Sequence, residues 1–141
     1  MKILFLCTGN SCRSQMAEGW AHSIGPAAHE YYSAGIEKHG MNQYAMQVMQ
    51  EAGVDISSQY SKTLDELADV EFDVVVTVCG HANETCPVFS GKTRVVHIGF
   101  DDPPKLAVEE TTDEGRLVHY RRVRDEIRAV IEDLDTHLAE K

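Results

Sequence analysis

The sequence predicts an α/β protein: one open, four-stranded parallel sheet with helices on both faces. Strand-like and helix-like stretches alternate along the chain, and a strand, a crossover helix and a second strand form a right-handed parallel unit. The residues best suited to chemistry, Cys7, Cys79 and Asp102, each follow a strand-like run, which is where open parallel sheets bind ligands. With 141 residues, 43% of them apolar and 26% charged, the chain suits a single domain, 1–141, that buries a core without staples.

The elements follow in order. Lys2 to Leu6 reads as a buried strand, with Ile3, Leu4, Phe5 and Leu6 consecutive and a glycine-containing loop after them. From Ser14, the positions Met16, Ala17, Trp20, Ala21 and Ile24 fall at helical spacing until Gly25-Pro26 stops the pattern. His29 to Ala34, with Tyr31-Tyr32, reads as a second strand closed by Gly35. Asn42 can cap a helix running to Ala52, striped by Tyr44, Ala45, Val48 and Met49 and ended by Gly53, with Met41, Met46 and Met49 as core filler. Val54 to Ser61 is an extended connection and Thr63 to Ala68 a short helical piece. Phe72 to Val78 carries the strongest strand signal, β-branched through its middle, and leads directly into Cys79. Thr93 to Ile98 is a fourth strand, followed by a turn-rich loop from Gly99 to Pro104. Lys105 to Gly115 is acidic and without periodicity, a surface stretch. A long amphipathic helix starts near Leu117, with Val123, Ile127, Val130, Ile131, Leu134 and Leu138 on one face.

A formal net charge of −10 disfavours nucleic acid and anionic membranes as partners. It also opposes long-range attraction of an anionic substrate, so any anion site must be made locally. The apolar runs are far too short to cross a bilayer, and the N-terminal run reads as a strand rather than a secretory signal. The expected location is cytoplasmic. Four cysteines in such a chain point to catalytic, redox-active or metal-binding thiols rather than to a static disulfide framework.

The stretch Cys7-Thr8-Gly9-Asn10-Ser11-Cys12-Arg13-Ser14 lies between strand and helix. A loop there aims backbone N–H groups and the positive end of a helix dipole at one point, a seat for a tetrahedral oxyanion. Thr8, Gly9, Asn10, Ser11, Cys12 and Arg13 would hold the anion, Gly9 allowing the turn and Arg13 offering a planar fork to two oxygens. Cys7 stands at its mouth as a potential nucleophile, and the same field favours the reactive thiolate. The bland reading makes Cys7 a small buried apolar residue and Arg13 a solvated charge.

Cys79 and Cys86 flank Gly80-His81-Ala82-Asn83-Glu84-Thr85, a polar, weakly helical segment able to rearrange at low cost. If Cys79 lies near Cys7 at the strand ends, its thiolate can attack a Cys7 adduct, and Cys86 can attack Cys79 in turn. Inert loop thiols, or a zinc site shared with His81 and His97, are the competing readings of this pair.

These segments resemble the low-molecular-weight protein tyrosine phosphatase fold and, within it, the thioredoxin-coupled arsenate reductases. The resemblance runs through Cys7 to Glu18, Tyr32-Ser33-Ala34-Gly35-Ile36, Val76 to Cys79, Cys86-Pro87, Gly99 to Pro103 and Arg122 to Ile127. It implies arsenate as substrate and thioredoxin as reductant; no resident cofactor or metal is expected in this chain. It also implies Cys7 as nucleophile, Ser14 as support for its thiolate, and Cys79 and Cys86 as first and second resolving thiols. Asp102, before Pro103, matches the family's acid in preference to its neighbour Asp101. Some of these reductases bind potassium through side chains matching Asn10, Glu18 and Ser33 plus a further acid; this chain places Lys62 at the last position, where an ammonium can replace the metal's charge. Cys12 is a small residue within the loop whose role stays open. The rivals are a phosphatase using Cys7, Arg13 and Asp102, a reductase fed by glutathione and glutaredoxin, and a thiol-based sensor without turnover. Such phosphatases typically carry tyrosine after Asp-Pro, where this chain has Pro104.

Overall fold

A computed structural model describes residues 1–85, Phe89 and 91–139. In chain order the strands are β1 (Lys2–Cys7), β2 (Glu30–Gly35), β3 (Val74–Thr77) and β4 (Arg94–His97). The helices are α1 (Arg13–Ile24), α2 (Gln43–Glu51), α3 (Gly80–Thr85), α4 (Pro103–Leu106), α5 (Asp113–Glu132) and α6 (Leu134–Ala139). Short 3-10 turns span Leu64–Leu67 and Ala107–Glu109. The strands form one parallel sheet in the order β2-β1-β3-β4.

Position in the sheet explains the composition of each strand. β1 is paired on both edges, and Ile3, Leu4, Phe5 and Leu6 are all buried. β4 is an edge strand; Arg94, Val95 and His97 are exposed and only Val96 is buried. β3 is shorter than Phe72 to Val78 because its pairing with β1 runs only from Ile3–Val74 to Leu6–Thr77, and β4 matches that length. Phe72 stays buried outside the ladder, its ring edge-on to Tyr32.

Asn42 caps α2 as its sequence position implies, its Oδ1 accepting from the N–H groups of Tyr44 and Ala45. The stretch from Lys105 to Gly115 departs from expectation. It carries the end of α4, the 3-10 turn with buried Ala107, and the first turn of α5. Pro103 and Pro104, which lack N–H groups, suit the first positions of a helix too short to show periodicity. α5 starts ahead of Leu117 because Thr112 Oγ1 accepts from Gly115 N–H, with Asp113 and Glu114 in the first turn. The long helix then breaks at Asp133, and Leu134 and Leu138 reach the same core from α6. α1 packs against α5, where Trp20 Nε1 donates to Arg124 O and Arg128 lies over the indole.

The end of β2 touches the loop after β1. A Cβ on Gly35 would lie 2.2 Å from Glu37 O and 2.8 Å from both Asn10 N and Thr8 O. All three are backbone atoms that cannot swing aside. Gly35→Ala is therefore expected to destabilise the fold by about 1–3 kcal/mol through forced backbone shifts. Gly91→Ala, with open space around its Cβ, is expected to be near neutral. Urea unfolding midpoints of the two variants check this.

Candidate active site

The loop from Thr8 to Cys12 joins the buried end of β1 to the start of α1. Its carbonyl groups are taken up from outside: Cys7 O accepts from Ile36 N–H, Thr8 O from Glu37 N–H, Gly9 O from His39 N–H and Ser11 O from Asn42 N–H. Ser61 Oγ adds a second donor to Gly9 O. With its acceptors engaged, the loop offers its N–H groups to whatever fills the cavity it encloses. That cavity, of about 490 Å³, is lined by Cys7, Thr8, Gly9, Ser11, Cys12, Arg13, His39, Gly40, Met41, Asn42, Asp102 and Pro104.

Asn10 does not line the cavity; it lies fully buried beneath the loop with φ of 48°, a left-handed conformation that asparagine tolerates better than most residues. Its Oδ1 accepts from Lys62 backbone N–H at 3.0 Å and from Gln15 Nε2 at 2.8 Å. The Lys62 N–H can only donate, which fixes the amide orientation and points Asn10 Nδ2 at Ser14 Oγ, 2.8 Å away. Ser14 Oγ thus receives one hydrogen bond and has its own proton free for Cys7 Sγ, at 2.8 Å.

Arg13 is held over the cavity by the loop after β4. Its Nη1 donates to Phe100 O at 3.0 Å, and Nη2 lies 3.7 Å from Asp102 Oδ1. Asp102 and Asp101 part company here: Asp102 faces the cavity, whereas Asp101 Oδ2 accepts from Arg122 Nη2 at 2.9 Å. Cys79 is not among the cavity-lining residues. Its sulfur lies 3.3 Å from Thr8 Oγ1, next along the chain from Cys7, and accepts from Ala82 N–H at the start of α3. Cys7, Cys12 and Cys79 carry no disulfide. Cys86 and Pro87 lie outside the described residues. Burial, reinforced by neighbouring Cys7, pushes the Cys12 thiol well above its ordinary range, so Cys12 packs as a neutral group. Among the described residues no group of three or more His, Cys, Asp or Glu side chains is arranged to hold a metal ion, and His97 Nδ1 pairs with Thr77 Oγ1.

Sequence reasoning missed two supports of this site. Gln15 is fully buried, donating to Asn10 O, Asn10 Oδ1 and Tyr60 O while its Oε1 accepts from Gln59 Nε2. His39 packs its ring over the loop so closely that a Cβ on Gly9 would lie 2.2 Å from its Nδ1, and its Nε2 pairs with Glu37 Oε2. The available signal for Gln15 was its place in the first turn of α1, directly after the loop.

A strand-end loop with a cysteine at its mouth and an arginine at the following helix start defines a phosphatase-type anion site. The chain belongs to the low molecular weight phosphotyrosine protein phosphatase family, whose model matches residues 2–141. Within that family it is similar to the arsenate reductase of Halalkalibacterium halodurans, at 53% identity over 125 residues, 89% of this chain and 88% of that protein. A solved arsenate reductase in its oxidized state matches with a TM-score of 0.77 at 29% identity, covering 94% of this chain and 95% of the other. The thioredoxin-dependent arsenate reductase of Corynebacterium glutamicum matches with a TM-score of 0.68 at 25% identity, covering 99% of this chain and 63% of the other.

Losing the Ser14 hydroxyl removes one hydrogen bond from the Cys7 sulfur, a loss on the order of 1.4 kcal/mol. Ser14→Ala is therefore expected to slow Cys7 alkylation at neutral pH about tenfold. Iodoacetamide kinetics in a background with Cys79 and Cys86 replaced by serine measure it.

Proposed function

We propose that the protein reduces arsenate to arsenite and takes its electrons from thioredoxin. The observation that carries this reading is the Cys79 sulfur against the Thr8 hydroxyl, which puts a second thiol beside the nucleophile's loop. A hydrolase needs only Cys7, Arg13 and an acid; a reductase needs a thiol to resolve the adduct. The arsenate reductases among the relatives support the same substrate, and the thioredoxin-dependent reductase among the solved structures supports the donor.

The chemistry runs as three displacements. The Cys7 thiolate attacks arsenic held by the loop N–H groups and the Arg13 fork, and an arsenate oxygen leaves as water with a proton from Asp102. The Cys79 thiolate then attacks Cys7 Sγ; the sulfur–arsenic bond breaks, its electron pair stays on arsenic, and arsenite departs. Cys86 next attacks Cys79, releasing the Cys7 thiolate and leaving a Cys79–Cys86 disulfide. Thioredoxin reduces that disulfide with two electrons, matching the two taken by arsenic.

The last displacement demands a change of shape. The six helical residues of α3, Gly80–Thr85, advance the chain by about 9 Å, whereas a disulfide holds its Cα atoms within ~7 Å. A bond between the cysteines flanking α3 requires that helix to unwind. Hydrogen exchange of Gly80 to Thr85 is expected to quicken on oxidation while β1 and β3 stay protected.

Two sets of variants test the assignment. Cys7→Ser abolishes arsenite production; Cys79→Ser blocks multiple turnovers without preventing oxyanion binding; Cys86→Ser permits one round and stops at a Cys7–Cys79 disulfide. Non-reducing peptide mapping after arsenate treatment reads these states, and free thiols at both Cys79 and Cys86 in wild-type protein after turnover would refute the relay. Arsenite production supported by glutathione and glutaredoxin but not by thioredoxin and its reductase would overturn the donor.

For the acid, Asp102→Asn is expected to slow the first chemical step by roughly 10²-fold or more, and Asp101→Asn much less. Single-turnover arsenate consumption compares them, and the reverse order would move the role to Asp101.

A further inference from the structure

Lys62 is only 6% exposed, and none of the steps above uses it. Its Nζ lies 3.8 Å from Glu18 Oε1, donates to Tyr60 O at 3.1 Å and sits 4.5 Å from the centre of the Tyr60 ring. Glu18 Oε1 also accepts from Ser33 Oγ at 2.5 Å, and its Oε2 pairs with His22 Nε2 at 3.2 Å. The Lys62 main chain is tied into the same place: its N–H donates to Asn10 Oδ1 and its carbonyl accepts from Gly35 N–H. One ammonium and one carboxylate thus pair within the protein, linked to the residue that orients Ser14 through the Lys62 main-chain N–H.

Burial pulls the Lys62 ammonium below the ordinary lysine range, while Glu18, and Glu66 to a smaller extent, oppose that pull. A buried charge pair of this kind seldom stabilises a fold as much as well-packed apolar residues do. Its usefulness has to lie elsewhere. A bare Glu18 carboxylate, on the helix that starts at the anion loop, would repel an incoming oxyanion unless its charge were cancelled, in a chain whose net charge of −10 already disfavours anions.

The side chains matching a potassium site do not fit the metal here. Glu18 Oε1 is engaged by the ammonium and by Ser33, and Asn10 Oδ1 is filled by Lys62 N–H and Gln15 Nε2. We propose that the Lys62 ammonium is a built-in counter-cation for Glu18, which sets the anion loop for its oxyanion without any alkali metal. Lys62 is a positioning residue, acting through Glu18 and Asn10 and not on the substrate. The inference rests on the oxyanion-binding half of the proposed function alone; electron transfer plays no part in its test.

The test is phosphate affinity by calorimetry, together with the thermal midpoint, in potassium chloride and in choline chloride at equal ionic strength. Wild-type protein is expected to give the same values in both salts. Lys62→Met, which removes the ammonium from Glu18 and leaves His22 beside it, is expected to weaken phosphate binding in choline chloride at least about fivefold, the low end of ordinary coupling between sites. Adding Glu18→Gln to Lys62→Met should restore most of that affinity, which a merely structural role for Lys62 does not explain. Lys62→Asp should acquire a potassium-dependent rise in both affinity and thermal midpoint. A wild-type protein that binds phosphate more tightly or melts higher in potassium than in choline overturns the proposal, even if the variants do not fold. So does Lys62→Met binding phosphate as wild type does in choline chloride, or the double variant remaining as weak as the single one. Retained phosphate binding with no arsenite production would instead fault the reductase reading and leave Lys62's role intact.

Discussion

The site depends on the side chain of Asn10, which orders a loop that has no regular hydrogen-bonding pattern of its own. A left-handed residue at this point lets the loop turn back between β1 and α1. The amide then closes the loop from beneath, accepting from Lys62 and Gln15 and donating to Ser14. Because one of those donors is a main-chain N–H, the amide has one orientation, and the proton order from Lys62 to Cys7 follows from it. Every other feature of the site assumes that arrangement. Among the described residues no buried side-chain nitrogen or oxygen lacks a partner, so the network is complete, the condition under which a buried polar cluster rigidifies a structure.

Charge is managed over short distances. The surface is acidic, yet the cavity combines loop N–H groups, the α1 dipole and Arg13, whose guanidinium is aligned by Phe100 O. Cys12, five residues from the nucleophile and lining the same cavity, is kept neutral by burial. Pro104 completes the wall beside Asp102 with a compact ring.

The proposed relay sets a second requirement, since it would end the reduction of a buried adduct in a disulfide that a protein partner has to reach. Cys79 is 3% exposed, with its sulfur at the first turn of a six-residue helix. A helix this short has little stability of its own, so it can hold Cys79 against the anion loop in one state and yield in another. The sheet beneath has no such freedom: β1 and β3 are buried and joined by a continuous parallel ladder.

By itself the sequence determined the alternation of strands and helices, the anion loop from Cys7 to Ser14 and the cap at Asn42, because these are local patterns of spacing and residue type. The short helix after Asp102 and the break at Asp133 escaped it: four residues are too few to show a period, and Leu134 and Leu138 keep the apolar stripe going across the break. The resemblance favoured Asp102 over its neighbour, but tertiary structure supplies the physical reason: Asp101 is drawn away by Arg122 on α5, and Asp102 faces the cavity. Tertiary structure alone decided that Gln15 and Lys62 are buried beneath the loop. Polar side chains ordinarily stay in water, and these go inside because partners 45 and 44 residues away in the chain, at Tyr60 and Glu18, meet them there. Sequence spacing carries no record of such long-range polar pairing, because it depends on where the sheet brings the strand ends together.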